Sequence, residues 1–253
     1  MFMLCKNLDK SEVLKEYYIE PKFDGARAIW NKNRLVFRDR KQRDKGALGI
    51  DRTYRFRFIS KVLKEGLKDE VILDGEICVF DEKGISHLYK VNQMVNWDKT
   101  VFMVFDILEL NGQDLRTLPL SRRKEFLQDV LYNLDEQFVK YVPHFDYSQK
   151  LIDDWRANGL EGFIAKLKES PYLNSRSIYW RKFLFTKEYV VDILNYKEGD
   201  THGSVNTSCG AVSLPSMDIL KYYQENNPKK AIVEGQEMSE KGKIRNPVLV
   251  RFL

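Results

Sequence analysis

The sequence has 253 residues, of which 43% are hydrophobic and 31% charged, and this composition excludes a globally disordered chain. The length suits one large domain or two small ones. Lys and Arg number 42 against 37 Asp and Glu, so the formal net charge is +5, which permits a polyanionic partner without requiring one.

Cysteine usage and apolar patterning narrow the class further. Cys5, Cys78 and Cys209 are far apart and form no CxxC pair, which argues against a zinc site and a disulfide framework. No apolar run approaches the ~18 residues of a membrane span. The N-terminus does not read as a signal peptide. We therefore expect a cytoplasmic protein with no membrane partner.

The first 186 residues mix short strands with helices. Residues 17–30 predict two strands joined by a tight turn at Lys22-Phe23-Asp24-Gly25. The later elements predicted in chain order are strand 35–37, helix 54–66, strands 71–80 and 101–108, a helix capped by Ser121 and ending near Leu131, a helix capped by Ser148, and strand 162–167. The strands follow each other too closely for a βαβ series, which favours an antiparallel α+β domain over residues 1–186.

The character of the chain changes after about Lys187. Strand 189–196 precedes a Gly/Ser/Thr-rich stretch, which is followed by helix 217–226 and short strands at 232–237 and 248–252. Short strands around one helix predict a small β-barrel over residues 187–253, with an OB-fold as the first candidate.

The positive charge is concentrated in one segment. Residues 32–45 hold seven Lys or Arg and two Asp, so this stretch alone carries the whole formal charge of +5. A polyanionic partner, if there is one, would be expected to contact this segment.

Five short motifs contain residues with chemical potential. Lys22 stands before an Asp-Gly turn and is followed by Arg27; the alternatives are a nucleophilic lysine and a solvated hairpin lysine. The other four motifs are Asp74-Gly75-Glu76, Phe105-Asp106-Ile107-Leu108, Glu161-Gly162-Phe163-Ile164-Ala165-Lys166 and Trp180-Arg181-Lys182. Each also has an ordinary structural interpretation, as a hairpin acid, a core aromatic or a solvated basic strand. Glu161 and Lys166 share a site only if Glu161 lies at the start of the strand or on a bend.

The order of these motifs is more specific than any one of them. K-x-D-G-x-R, D-G-E, F-D-x-L, E-G-x-x-x-K and W-x-K follow one another as in the covalent nucleotidyltransferases. The chain resembles in particular the minimal, two-domain ATP-dependent DNA ligases, from about Glu20 to Arg251. The resemblance implies an antiparallel-sheet nucleotidyltransferase domain followed by an OB-fold domain.

The resemblance also implies a role for each motif residue. Lys22 would attack the α-phosphate of ATP and carry AMP, which passes to the 5′-phosphate of a DNA nick before the 3′-hydroxyl seals the strand. The remaining roles implied are Glu20 beside the adenine edge, Phe105 and Ile164 on its two faces, Arg27 at the ribose and phosphates, Glu76 at the ribose or a metal, Lys166 and Lys182 at the α-phosphate, and Asp24 and Glu161 as acids for the later steps.

Metal and DNA contacts follow from the same resemblance. Mg²⁺ or Mn²⁺ would be held by Glu76 and Glu161. The partner would be nicked duplex DNA, bound by a monomer, with Arg40 gripping the nick 5′-phosphate; the other DNA-contacting residues predicted are Arg38, Lys41, Arg43 and Arg176.

Two positions depart from the family pattern. The second lysine of W-x-K-x-K is Leu184 here, with Lys187 the candidate replacement. The last basic motif of the family would begin about where the sequence stops, which leaves Arg245 and Arg251 as candidates for orienting the pyrophosphate. An RNA ligase, an mRNA-capping guanylyltransferase and a non-catalytic nucleic-acid-binding module remain as alternatives.

Overall fold

A computed structural model of the chain describes residues 2–9, 13–38, 49–199, 201–236, 238–239 and 242–253. The chain divides into two compact units, Met1–Phe183 and Leu184–Leu253. This division lies a few residues before the boundary predicted from the sequence.

The first unit alternates strands with short helices. Its described elements, in chain order, are β1 (Leu4–Asn7), β2 (Tyr17–Pro21), β3 (Ala26–Asn31), β4 (Arg34–Phe37), β5 (Ile50–Asp51), α1 (Arg57–Gly66), β6 (Val71–Cys78), α2 (Leu88–Val91), a 3₁₀ helix (Met94–Lys99), β7 (Val101–Leu110), β8 (Gln113–Asp114), α3 (Leu120–Leu131), β9 (Val139–Tyr141), α4 (Gln149–Ala157), β10 (Gly162–Leu167) and β11 (Arg176–Leu184).

These strands form two sheets. The larger has seven strands in the order β5-β4-β3-β6-β7-β8, with β9 beside β7, and the smaller has the order β1-β11-β10-β2. The predicted antiparallel pairing is confirmed for most neighbours but is wrong for two: β1 runs parallel to β11, and β9 runs parallel to β7. Both are short strands that reach their partners over long connections, whereas antiparallel neighbours can be joined by tight turns.

Strand β7 separates two apolar layers. Phe102 and Val104 face the layer that contains α1 and α3, whereas Met103 and Phe105 face a second cluster. That second cluster also includes Met3 and Trp180, so residues of both sheets meet in it. The side-chain alternation of one strand thus forms both the core and the floor of the site described below.

The helix predictions differ in accuracy. Ser148 occupies the N-cap position of α4, as predicted, although its side chain makes no capping hydrogen bond. The prediction for Ser121 is wrong, because α3 begins at Leu120 and has Pro119 at its N-cap position. The Ser121 hydroxyl instead donates to Glu169 over 3.1 Å.

In its described residues, the second unit contains a five-stranded antiparallel sheet and one helix. Its elements are β12 (Lys187–Lys197), β13 (Ser204–Thr207), β14 (Gly210–Ser213), α5 (Met217–Asn226), β15 (Lys230–Gly235) and β16 (Val248–Phe252), and the sheet order is β14-β13-β12-β15-β16. Helix α5 matches its prediction, and Ser216 caps it by accepting from the Ile219 amide. The two outermost strands of the sheet also approach each other. Such an order suits an OB-like half-barrel.

Within the part of the chain that the structure describes, no helix is both long enough and apolar enough to cross a membrane.

Candidate active site

Lys22 lies directly after β2, where the chain turns toward β3. Its Nζ is 2.6 Å from Oε2 of Glu161, and both side chains are mostly shielded from solvent. The Lys22 amide also donates to the Gly162 carbonyl over 3.0 Å. Glu161 immediately precedes β10, and this position allows it to share a site with Lys166 of the same strand. The predicted condition for bringing both ends of the E-G-x-x-x-K motif together is therefore met.

The turn after Lys22 leaves no room for a side chain at Gly25. A Cβ atom there would lie 2.5 Å from the Ile77 carbonyl oxygen and 2.7 Å from Cγ of Glu76. The close approach holds the lysine turn against β6. Asp24 secures the same turn: its carboxylate accepts from the Leu88 amide at the start of α2, and its own amide donates to Ser86.

Arg27 of β3 is fixed by Asp74 of β6. Its guanidinium donates through Nε and Nη2 to the two carboxylate oxygens, at 2.8 and 2.6 Å, and Tyr172 donates to Asp74 over 2.7 Å. Burial opposes the charged guanidinium, but the Asp74 carboxylate outweighs it and raises the pKa of Arg27. The guanidinium also lies 4.7 Å from the centre of the Phe105 ring. Arg27 therefore stays charged at the floor of the site.

Glu76, two residues beyond Asp74, is a carboxyl group with a weakened tendency to ionise. Burial raises its pKa to about 7, against the opposing charges of Lys22 and Arg27 and with the support of Glu161. Such a carboxyl group would ionise more readily beside a divalent cation. In the described residues no set of three or more His, Cys, Asp or Glu side chains forms a metal site. Glu76 and Glu161 would suit Mg²⁺ only with phosphate oxygens and water as its other ligands, which is the usual arrangement for this ion.

A buried triad of charges lies at the junction of β2, β10 and α3. Glu20 is paired with Lys124 at 2.5 Å through Oε1 and with Lys166 at 2.6 Å through Oε2. The Lys166 ammonium also lies 4.1 Å from the centre of the Phe105 ring and 4.2 Å from that of Trp180. Lys166 is thus in contact with two other predicted site residues, Glu20 and Phe105.

Phe105 owes its position to an irregularity in β7. The pairing of β6 with β7 shifts register between Asp74 and Gly75, so that Phe105 has no partner residue on β6. Bulges of this kind often occur beside active sites, where they re-aim a side chain. The Phe105 and Trp180 rings meet edge-on, with their centres 6.0 Å apart. Ile164 of β10 is half-buried and lies directly opposite Glu20 of β2.

Lys182 of β11 completes the basic lining. The half-buried thiol of Cys5 lies near four cations, which lower its pKa, but burial outweighs them and raises it. The four cations are those of Arg27, Lys166, Lys22 and Lys182. Arg176 lies at the start of β11, exposed, and donates to the Cys5 carbonyl over 2.6 Å. Arg38 is half-buried just after β4, and its amide donates to the Arg27 carbonyl over 3.1 Å. The other predicted DNA contacts, Arg40, Lys41 and Arg43, lie outside the described residues.

Two features of the site escaped sequence reasoning. Asp106 forms a fully buried, two-pronged ion pair with Arg123 of α3, which fixes that helix against β7. Lys124 is the next residue. Its spacing from the buried Leu120, Leu127 and Leu131 puts it on the inward face of the helix, so a lysine in an apolar stripe was the available signal.

The chain is similar to known proteins over most of its length. The model of the "ATP dependent DNA ligase domain" matches residues 2–183. A probable DNA ligase of Dictyoglomus turgidum is 30% identical over 181 residues, which are 65% of this chain and 30% of that protein. The prophage-derived DNA ligase-like protein LigB of Bacillus subtilis is 25% identical over 213 residues, covering 75% of this chain and 73% of that protein.

Among solved structures, one from a study of Lig E DNA ligases superposes with a TM-score of 0.73 at 18% identity, covering 100% of this chain and 98% of that one. This likeness concerns the fold, and it extends over both units. The chain spans about a third of the length of the curated relatives that it matches first.

Proposed function

The chain belongs to the family of the ATP-dependent DNA ligase domain, and from that premise we propose that it is itself an ATP-dependent DNA ligase. It would seal nicks between a 3′-hydroxyl and a 5′-phosphate in duplex DNA through a lysyl-AMP intermediate. The observation that carries the proposal is the Lys22–Glu161 pair, 139 residues apart in sequence and 2.6 Å apart in space, beside Arg27, Glu76 and Lys166. The second unit would be the OB-fold domain and the first the nucleotidyltransferase domain.

The first step needs a free amine at Lys22. The ammonium must lose a proton before its lone pair can attack phosphorus, and Glu161 is the adjacent acceptor. The new N–P bond forms at the α-phosphorus as the bond to the bridging oxygen breaks, and pyrophosphate leaves. Arg27 and Lys182 would offset the charge on the phosphate oxygens.

Glu76 and Glu161 are the residues that would hold Mg²⁺ or Mn²⁺. Such an ion, when bound, neutralises phosphate charge and orients the leaving group. Glu76 would then be ionised at neutral pH although burial raises its pKa to about 7. Asp24, whose carboxylate holds the start of α2, keeps the lysine turn in position for the later steps.

Later in the reaction the AMP would pass to the 5′-phosphate of a nick. The basic stretch at residues 32–45, which includes Arg38, supplies charge for the phosphate backbone of nicked duplex DNA together with Arg176. We propose that a monomer performs all three steps.

The test is the covalent adduct. Incubation with Mg²⁺ and ATP should add the mass of one AMP to the intact protein, and GTP should not. Lys22→Ala should abolish the adduct, because no other amine occupies this position. Lys83→Ala, which removes an exposed lysine from another turn, between β6 and α2, should leave it unchanged. An adduct of full yield in Lys22→Ala would refute the assignment, and sealing of nicked RNA in preference to nicked DNA would indicate the RNA-ligase alternative.

A further inference from the structure

The triad of Glu20, Lys124 and Lys166 contains one anion and two cations. All three side chains are about 2% exposed. Burying charges is costly unless they are paired, and a triad with unequal charges is only partly balanced. This excess of positive charge indicates that one of the lysines serves another partner during the reaction.

Lys166 is the lysine with an alternative position. Its ammonium covers one face of Phe105 at 4.1 Å from the ring centre, where a stacked base would lie if it used that face. The role implied for Lys166 at the α-phosphate also requires it to release Glu20. Entry of ATP would therefore replace the Lys166–Glu20 contact with a Lys166–phosphate contact.

Lys124 has no such alternative. Its ammonium is 2.5 Å from Oε1 of Glu20, is 3.4 Å from the Val142 carbonyl, and lies 5.0 Å from the centre of the Tyr141 ring. Helix α3 is itself held by the buried Arg123–Asp106 pair. When Lys166 leaves, Lys124 is the cation that remains beside the Glu20 carboxylate.

We propose that Lys124 is a positioning residue for ATP, which holds the Glu20 carboxylate in place while Lys166 moves to the α-phosphate. This inference rests on the proposed function. A fixed carboxylate accepts a hydrogen bond from the 6-amino group of adenine and repels the 6-oxo group of guanine. Lys124 thereby supports the choice of adenine without touching the base.

The pKa of Lys124 allows a second test of its role. Burial lowers its pKa to about 8, with Lys166 acting in the same direction and Glu20 and Asp106 in the opposite one. The other titratable groups facing the triad are Tyr141 and His144, and burial together with Lys124 lowers the pKa of His144. Above about pH 8 the amine loses its charge, so the affinity for the nucleotide should fall.

Substitution of Lys124 tests this role. Lys124→Met should raise KM for ATP about 10- to 100-fold, the range expected when charged hydrogen bonds are removed, with a smaller change in the maximal rate of adduct formation. It should also reduce the preference for ATP over GTP. Lys124→Arg should restore both, because guanidinium keeps its charge at every accessible pH. Lys168→Met is the matched control, because Lys168 directly follows β10, and its ammonium pairs with the exposed Asp146 and lies over the Tyr18 ring rather than beside Glu20.

A binding measurement separates this inference from the proposed function. In a Lys22→Ala background, calorimetry with AMP and GMP reports nucleotide binding without chemistry. Affinity for AMP should fall above about pH 8 with Lys124 and stay level with Lys124→Arg. An unchanged affinity and preference in a folded Lys124→Met protein would overturn the inference, as would the same decline above pH 8 in Lys124→Arg. If the native chain forms no adduct yet AMP binding depends on Lys124 as described, the proposed ligase activity fails and the positioning role stands.

Discussion

Glu76 is the residue at which stability and chemistry oppose each other. It lies partly buried beside Asp74 and Glu161, and its raised pKa means that the folded protein binds its proton more tightly than the unfolded chain does. Between its ordinary value of 4.5 and about 7 the unfolded state therefore holds fewer protons, and stability falls as pH rises through that window. The proposed reaction, by contrast, needs the charge of this carboxylate.

This conflict leads to a prediction for Glu76→Gln. The variant should be more stable than the native chain at pH 8, by about 2–4 °C in Tm for each kcal/mol gained, because the buried charge is gone. At pH 5 the two should melt nearly together, since Glu76 is then protonated in the folded state. Calorimetric melts at the two pH values measure the difference, and adduct formation should drop in the same variant. A native chain that stays the more stable one at pH 8 would contradict this account.

For single residues, the sequence indicated candidate site residues more readily than the contacts between their side chains. The candidates Lys22, Glu161 and Lys166 followed from motif spacing, and in the structure Lys22 pairs with Glu161 and Lys166 pairs with Glu20. The Glu20–Lys124 pair did not follow, because it joins a strand to a helix through tertiary packing that has no local signature. Asp24 was assigned to the later chemistry by resemblance, and its contact with the start of α2 indicates an additional structural task.

Among the elements, the pair of β6 and β7 determines the shape of the site floor. The register shift opposite Gly75 leaves Phe105 unpaired, so its ring lies among Arg27, Lys166 and Trp180. Gly75 is required there for a steric reason. A Cβ atom would lie 2.5 Å from the Phe102 ring and 2.6 Å from the Met103 carbonyl oxygen.

Gly75→Ala should therefore destabilise the protein, by about 1–3 kcal/mol, the usual cost of overpacking a core. The free energy of unfolding in urea would measure the loss. Gly66→Ala is the comparison, because its Cβ would meet only the flexible side-chain end of Leu134, and alanine favours a helix. Equal losses in the two variants would argue that the close approach at Gly75 is not what constrains the strand pair.

Elements with a strong pattern of their own were predictable, and those that depend on distant partners were not. Helix α4 was predicted from Ser148 at its N-cap position, and α5 and β16 were predicted at the residues where the structure has them. Strand β1 has four residues and β9 has three, and each forms by pairing with a strand that is distant in the sequence. The β13–β14 hairpin was missed because its Gly, Ser and Thr residues indicate a loop as readily as a strand.

For the whole molecule, the distribution of charge has a direct consequence. The net charge of +5 is contained in residues 32–45, and the rest of the chain is neutral in sum. Association with DNA should therefore be moderate and should depend mainly on this segment, most of whose basic residues lie outside the described part of the chain. Arg38, at its described end, is bonded through its backbone to Arg27 of the site.

Binding to nicked duplex DNA should consequently weaken steeply with salt. Replacing Arg40, Lys41 and Arg43 together by Gln should flatten the slope of log K against log[salt] by about 0.9 for each phosphate that is no longer neutralised. Fluorescence anisotropy across a salt series gives the slope. Replacing the exposed Lys61, Lys64 and Lys68 by Gln changes the charge equally and should leave the slope as it is. If both triple variants flatten it alike, the effect is one of net charge rather than of this segment.

The parallel pairing of β1 with β11 also affects when the first unit can complete its folding during synthesis. It joins the beginning of the first unit to its end, and the Met3 amide reaches the Tyr172 hydroxyl across 169 positions of sequence. Contacts of such separation form slowly, because a long loop must close before they contribute. On the ribosome, Lys22 emerges well before Glu161, Lys166 and Trp180 exist. A nascent chain thus displays the proposed nucleophile without its proposed partner groups, and the capacity to take up AMP should arise only when the two ends of the unit have met.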